Sequence, residues 1–265
     1  MPAFLRAMEE RSVTDTGFLV GKVVLITGGA RNLGARVAEE FASHGARVAV
    51  ADVQFTEDAH ARTAVLNRGP GRAEEFTADV RSPAEITRLV SAVQGTLGPI
   101  EILINNAGPF AMDPFLTLKV EDWDRVMEAN LRSVYLLTQQ VAPGMNERGW
   151  GRIINLSAGS AYLRNHSVYG LAKAAVRFLT EALALEMKPG VTVNAIAPGQ
   201  IAESAAEMSA FDPTFVERAT RITPAGRLVS RAEIAQTMVA LCASSWDMVT
   251  GLTLALDGGA RLPRI

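Results

Sequence analysis

The chain has 265 residues, 48% of them hydrophobic, which is ample for a large core, and α/β units of this length are commonly single domains. Its 26 basic and 28 acidic residues are scattered rather than striped, which argues against nucleic acid and anionic membrane as partners. One cysteine, Cys242, can make neither an internal disulfide nor a metal cluster; it fits a reducing cytoplasm, and its apolar setting assigns it to packing.

The first twenty residues lack the basic start and apolar centre of a secretory signal and read as a short arm, leaving 21–265 as the expected domain. No apolar run is long enough to span a bilayer. Lys22 to Thr27 is a β-branched run bounded by glycines, the pattern of a strand buried on both faces. It feeds Gly28-Gly29-Ala30-Arg31-Asn32-Leu33-Gly34, a helical pattern through Phe41 that stops at Gly45, and a second strand from Arg47 to Asp52. Strand, glycine-rich turn, helix and strand, with an acid about twenty residues past the turn, form a nucleotide-binding pattern. Small residues let the backbone approach a pyrophosphate, the helix N-terminus offers free N–H groups, and a carboxylate can grip two ribose hydroxyls.

A third strand is expected over Glu75 to Val80. Ser82-Pro83-Ala84-Glu85 then reads as a helix start with a capping box. The fourth strand, Ile100 to Ile104, ends in Asn105-Asn106-Ala107-Gly108, and a long helical region from about Val120 to Met145 holds Trp123 and Asn130. Gly151 to Ser157 is the fifth strand, Val191 to Ile196 the sixth, closing on Pro198-Gly199, and a helix over Ala232 to Ala243 precedes a seventh at Gly251 to Leu256. The alternation implies an α/β fold, a seven-stranded parallel sheet with helices on both faces, whose ligands bind past the carboxyl ends of the strands.

Between the fifth and sixth strands a helical pattern opens with Tyr169-Gly-Leu-Ala-Lys173. Four residues apart on a helix means one face, so phenol and ammonium stand side by side. A nearby cation favours the phenolate, which suits the pair to acid/base work near neutral pH.

Taken together, Thr27-Gly28-Gly29-Ala-Arg-Asn-Leu-Gly34, Asp52, Asp79-Val80, Asn105 to Gly108, Asn130, Tyr169-x-x-x-Lys173, Asn194, Pro198-Gly199 and Asp257-Gly258-Gly259 resemble the classical short-chain dehydrogenase/reductases. The resemblance implies a Rossmann-type doubly wound fold in which Tyr169 is the catalytic acid/base. It makes Lys173 the residue that lowers the tyrosine pKa and holds the nicotinamide ribose, and Asn130 the support of a proton-relay water. Gly28, Arg31, Asn32 and Leu33 would carry the pyrophosphate turn, Asp52 and Val53 the adenosine ribose, and Asp79 and Val80 the adenine. Asn106, Ala107 and Gly108 would line the ribose region, and Pro198, Gly199 and Ile201 the nicotinamide. A homodimer or homotetramer built on the Tyr169 helix and the long helix before it is also implied.

Three positions depart from the family pattern. Asn32 stands where a glycine is usual, and asparagine tolerates the left-handed backbone such a turn requires. The serine that holds the substrate oxygen falls on Leu156 when counted back from the tyrosine and on Ala158 when counted along the strand, leaving Ser157 or Ser160, with Ser157 slightly preferred. Glu203 replaces a threonine that would meet the nicotinamide amide, with Ser204 beside it.

Asp52 favours NAD over NADP, because a carboxylate accepts hydrogen bonds from a 2′-hydroxyl and repels a 2′-phosphate. Arg31 pulls the other way unless it pairs with Asp52. The expected substrate is a secondary alcohol or ketone of modest size under a lid at about 203–228, with Tyr162 and His166 near the pocket. Alternatives are a 3-oxoacyl carrier-protein reductase, a pteridine-reductase-like enzyme using NADP(H), and a cofactor-sensing relative without catalysis. Double-bond reduction is disfavoured, because His166 occupies the position of the tyrosine in enoyl reductases.

Overall fold

The structure is a computed structural model that describes residues 16–162, 166–210 and 212–262, apart from the side chains of Thr16 and Ser160. Seven strands form one sheet in the order β3-β2-β1-β4-β5-β6-β7. They are β1 (Val23–Thr27), β2 (Arg47–Asp52), β3 (Arg72–Thr77), β4 (Ile102–Asn105), β5 (Gly151–Leu156), β6 (Val191–Pro198) and β7 (Thr253–Leu256), and every pairing is parallel. The helices are α1 (Asn32–Ser43), α2 (Glu57–Leu66), α3 (Pro83–Leu97), α4 (Val120–Met127), α5 (Ser133–Arg148), α6 (Val168–Glu186), α7 (Ala202–Met208), α8 (Phe215–Arg221) and α9 (Arg231–Ala240).

Strand side chains alternate between two cores. Val24 and Ile26 of β1 join Val37 and Phe41 of α1 and Ile234 and Met238 of α9 on one face. Val23 and Leu25 join Leu89 and Val93 of α3 and Leu137 and Val141 of α5 on the other. Both faces are covered, so the central strands are apolar throughout, as their sequences predict.

Several boundaries differ from the sequence reading. Strand β3 lies three residues earlier than expected, because it is a polar edge strand; Asp79 and Val80 fall beyond its end. Ser82 caps α3 by accepting from Glu85 N, but Glu85 reaches back to Asp79 N (2.8 Å) and no capping box closes there. The closed box sits at Ser230 and Glu233, at the start of α9. The long helical region is two helices joined by a π-helical turn, Glu128–Arg132. Residues 1–15 of the expected arm lie outside the described residues, but Leu19 is fully buried in the α1 core, so its last residues belong to the folded body.

The chain order reverses between β1 and β4, and their carboxyl ends open the crevice where ligands bind in such sheets. Asn32, the first residue of α1, has φ of 51°, the only positive value among the described non-glycine residues. The expected left-handed turn therefore forms with asparagine in place of glycine. Replacing Asn32 with glycine should leave stability nearly unchanged, whereas valine should cost about 1–2 kcal/mol in chemical denaturation, since branching at Cβ clashes in that conformation.

Candidate active site

The crevice is a cavity of about 580 Å³ lined by the turn residues Gly28, Arg31, Asn32, Leu33 and Gly34, by Asp52 and Val53, by Asp79 and Val80, and by Asn106, Ala107 and Gly108. Beyond Gly108 the lining continues through Phe110 and Leu156 to Ile201. Thr27 locks its floor: its hydroxyl accepts from Asn106 N and Ala107 N (3.1 Å each), tying the end of β1 to that of β4. The Asn106 side chain donates to the carbonyls of Thr27 and Gly28 and so braces the turn from behind.

These residues fit a dinucleotide. Helix α1 has no side-chain cap at its N-terminus, so its first N–H groups stay free for an anion. A Cβ at Gly34 would stand 2.0 Å from the Gly28 carbonyl oxygen, so the turn closes this tightly only with glycine. Asp52 accepts from Ala30 N (3.1 Å) and Val53 N (2.8 Å), which fixes its carboxylate at the end of β2. No ion pair joins Arg31 to Asp52 among the described residues, and Arg31 is exposed. Asp79 is held by Arg81, whose guanidinium lowers the carboxyl's pKa.

Tyr169 and Lys173 lie one turn apart at the start of α6, with the ammonium 5.6 Å from the centre of the phenol ring. Three hydrogen bonds fasten this helix to β5. Lys173 Nζ donates to the Leu156 carbonyl (2.6 Å), Ser157 Oγ donates to the Lys173 carbonyl (2.8 Å), and Asn155 Nδ2 donates to Thr180 Oγ1 (3.0 Å). Asn105 extends the last link to β4 by donating to Asn155 Oδ1 (2.9 Å). All of these side chains are buried, where an unmade hydrogen bond costs about 1–3 kcal/mol, so the links fix the helix.

Burial, not the neighbouring ammonium, dominates the phenol: it pushes Tyr169 up to about 12 and Lys173 down to about 7. The expected lowering of the tyrosine pKa is therefore reversed in the protein alone. Neither residue lines the cavity, nor do Pro198 and Gly199. Phe110, which does line the cavity, packs its ring 4.8 Å from the phenol ring, and the Leu156 carbonyl holds the lysine. Gly199 packs instead against Asp257, and Pro198 against Gly159.

The preference for Ser157 does not match its geometry. Its buried hydroxyl is turned to the Lys173 carbonyl, a helix anchor rather than a donor into the cavity. The Ser160 side chain lies outside the described residues. Asn130 is fully buried in the π-helical turn; its Nδ2 donates to the carbonyls of Val126 and Pro109 (3.0 Å each), while Oδ1 has no partner among the described residues. Gly108 packs on that oxygen, since a Cβ there would meet it at 2.1 Å.

Glu203 accepts from Arg231 N at the start of α9, and Arg231 donates to Ser204 Oγ (3.2 Å) and Glu207 (2.8 Å). Glu203, at the threonine position, and Ser204, its candidate substitute, thus both contact Arg231 and latch α7 to α9. Phe215 packs inside the α7/α8 segment, and Phe211 lies outside the described residues. Tyr162 lies between the guanidinium groups of Arg177 and Arg261, and His166 is exposed. Sequence reasoning missed Phe110, although an aromatic residue just past the Asn106-Ala107-Gly108 turn at a strand end was a usable signal. It also missed Arg231, whose role depends on a contact across the fold.

The family model described as enoyl-(acyl carrier protein) reductase matches residues 28–261. D-threitol dehydrogenase of Mycolicibacterium smegmatis is 34% identical over 95% of this chain and 97% of its own. Oxidoreductase UcpA of Escherichia coli K12 is also 34% identical, over 93% and 97% respectively. The crystal structure of a short-chain type dehydrogenase/reductase from Mycobacterium marinum superposes with a TM-score of 0.84 at 30% identity, covering 96% of this chain and all of that one. The chain belongs to the short-chain dehydrogenase/reductase family and is an NAD(P)-dependent oxidoreductase. No helix among the described residues is long and apolar enough to cross a membrane.

The buried lysine has a measurable signature. Between its folded value of about 7 and its ordinary 10.5, the unfolded chain carries a proton at Lys173 that the folded protein does not, so stability rises with pH across that window. Tyr169 acts oppositely, but only above its ordinary 10.0. The melting temperature of the wild type should therefore climb relative to Lys173→Met from about pH 7 to about pH 9.5; a constant difference would mean the lysine stays charged when folded.

Proposed function

We propose that the protein transfers a hydride between NAD(H) and a secondary alcohol or ketone, with Tyr169 exchanging the hydroxyl proton. The observation that carries this reading is the Tyr169/Lys173 pair on a helix clamped to β5, beside a cavity whose glycine turn and carboxylate suit a dinucleotide. The bound nicotinamide would supply or accept the hydride. The turn from Gly28 to Leu33 would hold its pyrophosphate, Asp52 and Val53 the adenosine ribose, and Asp79 and Val80 the adenine. Asn106 to Gly108 and Ile201 would take the nicotinamide half, with Pro198 and Gly199 behind them.

Tyr169 gives its proton to the carbonyl oxygen in reduction and recovers it in oxidation. A phenol held up at about 12 is fully protonated at neutral pH and ready as an acid; the reverse step needs a cation beside it to lower the cost of the phenolate, which is the part of Lys173. Asn130 is assigned the support of a relay water, and its unpartnered Oδ1 leaves an acceptor for one. With Ser157 turned away, Tyr169 carries more of the oxyanion stabilisation than a serine-assisted site would require.

The fixed carboxylate of Asp52 supports NAD. Exposed Arg31, not ion-paired to that carboxylate, keeps NADP as the second reading. A polyol dehydrogenase among the relatives agrees with action on CH–OH groups. Leu171, Phe178 and Leu185 form an exposed apolar stripe at seven-residue spacing on α6, which supports a homodimer or homotetramer through that helix.

Tyr169→Phe should reduce kcat by a factor on the order of 10² to 10⁴ with NADH binding nearly unchanged; retained turnover would remove the assigned role. In fluorescence titration NADH should bind more tightly than NADPH, and Asp52→Ala should narrow or reverse the difference. Light scattering should give a dimer or tetramer mass, and Phe178→Glu should shift it toward the monomer.

A further inference from the structure

We propose that Phe110 sets the substrate class of this site, forming an aromatic wall that selects secondary alcohols and ketones bearing a cyclic apolar substituent over polyols. The proposal rests on the oxidoreductase reading above and goes beyond it by naming what flanks the reacting carbon.

Phe110 lines the cavity and is 58% exposed, although its ring is in contact with the partly buried Tyr169. Its ring meets that of Tyr169 at 66°, the edge-to-face arrangement aromatic pairs prefer. The chain on both sides of the ring is held. Pro109, immediately before it, has its carbonyl held by the buried Asn130 side chain. Ala111, immediately after it, is buried with Val126, Val168 and Ala172 against the helix that bears the tyrosine.

A substrate whose oxygen reaches the Tyr169 hydroxyl would then carry its substituent beside this ring. Leu156 and Ile201 add apolar surface to the same cavity, which Arg125 also lines. The loop that carries Phe110 further exposes Met112, Phe115 and Leu116 toward solvent. A polyol on such a wall would give up water from its hydroxyls with no partner on the ring, whereas an aryl or cyclohexyl group removes apolar surface from water.

The test compares kcat/KM for 1-phenylethanol, 1-cyclohexylethanol and D-threitol, each oxidised with NAD and with NADP, in wild type, Phe110→Ala and Phe110→Leu. The wild type should favour the two apolar alcohols by at least about tenfold; Phe110→Ala should lose most of that preference through KM, and Phe110→Leu should keep part of it. Because the side chain is more than half exposed, the melting temperatures of the variants should stay close to that of the wild type, which separates specificity from folding. A preference for D-threitol, or a ratio unchanged in Phe110→Ala, overturns the proposal, as does failure to oxidise the apolar alcohols while NADH still binds. Failure to bind either NADH or NADPH overturns the oxidoreductase reading itself.

Discussion

The site depends on how α6 is held against the end of β5. Lys173 reaches back to the Leu156 carbonyl while Ser157, next along the chain, reaches forward to the Lys173 carbonyl. Two reciprocal bonds between the same short segments leave the helix little freedom to rotate or slide. The Asn105–Asn155–Thr180 chain repeats the constraint two turns further on, away from solvent, where breaking any link strands a buried polar group. The Tyr169 phenol inherits its position from these bonds.

That arrangement also explains the electrostatics. Burying an amine and a phenol together disfavours both charged forms, and in the protein alone desolvation outweighs their attraction. Near neutral pH the phenol is thus protonated while the lysine, at about 7, is shared between its neutral and charged forms, a phenolate-poor state that suits proton donation.

The departures from the family pattern have local compensations of different quality. Asn32 takes the left-handed conformation itself, so the pyrophosphate turn survives without its glycine. Glu203 exchanges a cofactor contact for a latch on Arg231, which ties α7 to the body of the fold. Ser157 has no such exchange: it anchors the helix, and its position on the strand aims the hydroxyl at the helix backbone rather than at the cavity.

The sequence by itself determined the parallel seven-stranded sheet, the glycine turn, the acid at the end of β2 and the Tyr169/Lys173 spacing. Each follows from local periodicity or from residues within one turn of each other, and apolar strands bounded by glycine leave few other folds. It misplaced β3, because a polar edge strand carries little apolar signal, and it joined α4 to α5, because a π-helical turn has no composition of its own. Only the tertiary structure decided that the phenol packs against Phe110, that Asn130 pins the loop carrying that ring, and that Glu203 faces Arg231. Those are contacts between segments some twenty or more residues apart, with orientations set by packing, and no one-dimensional pattern encodes which way a side chain turns.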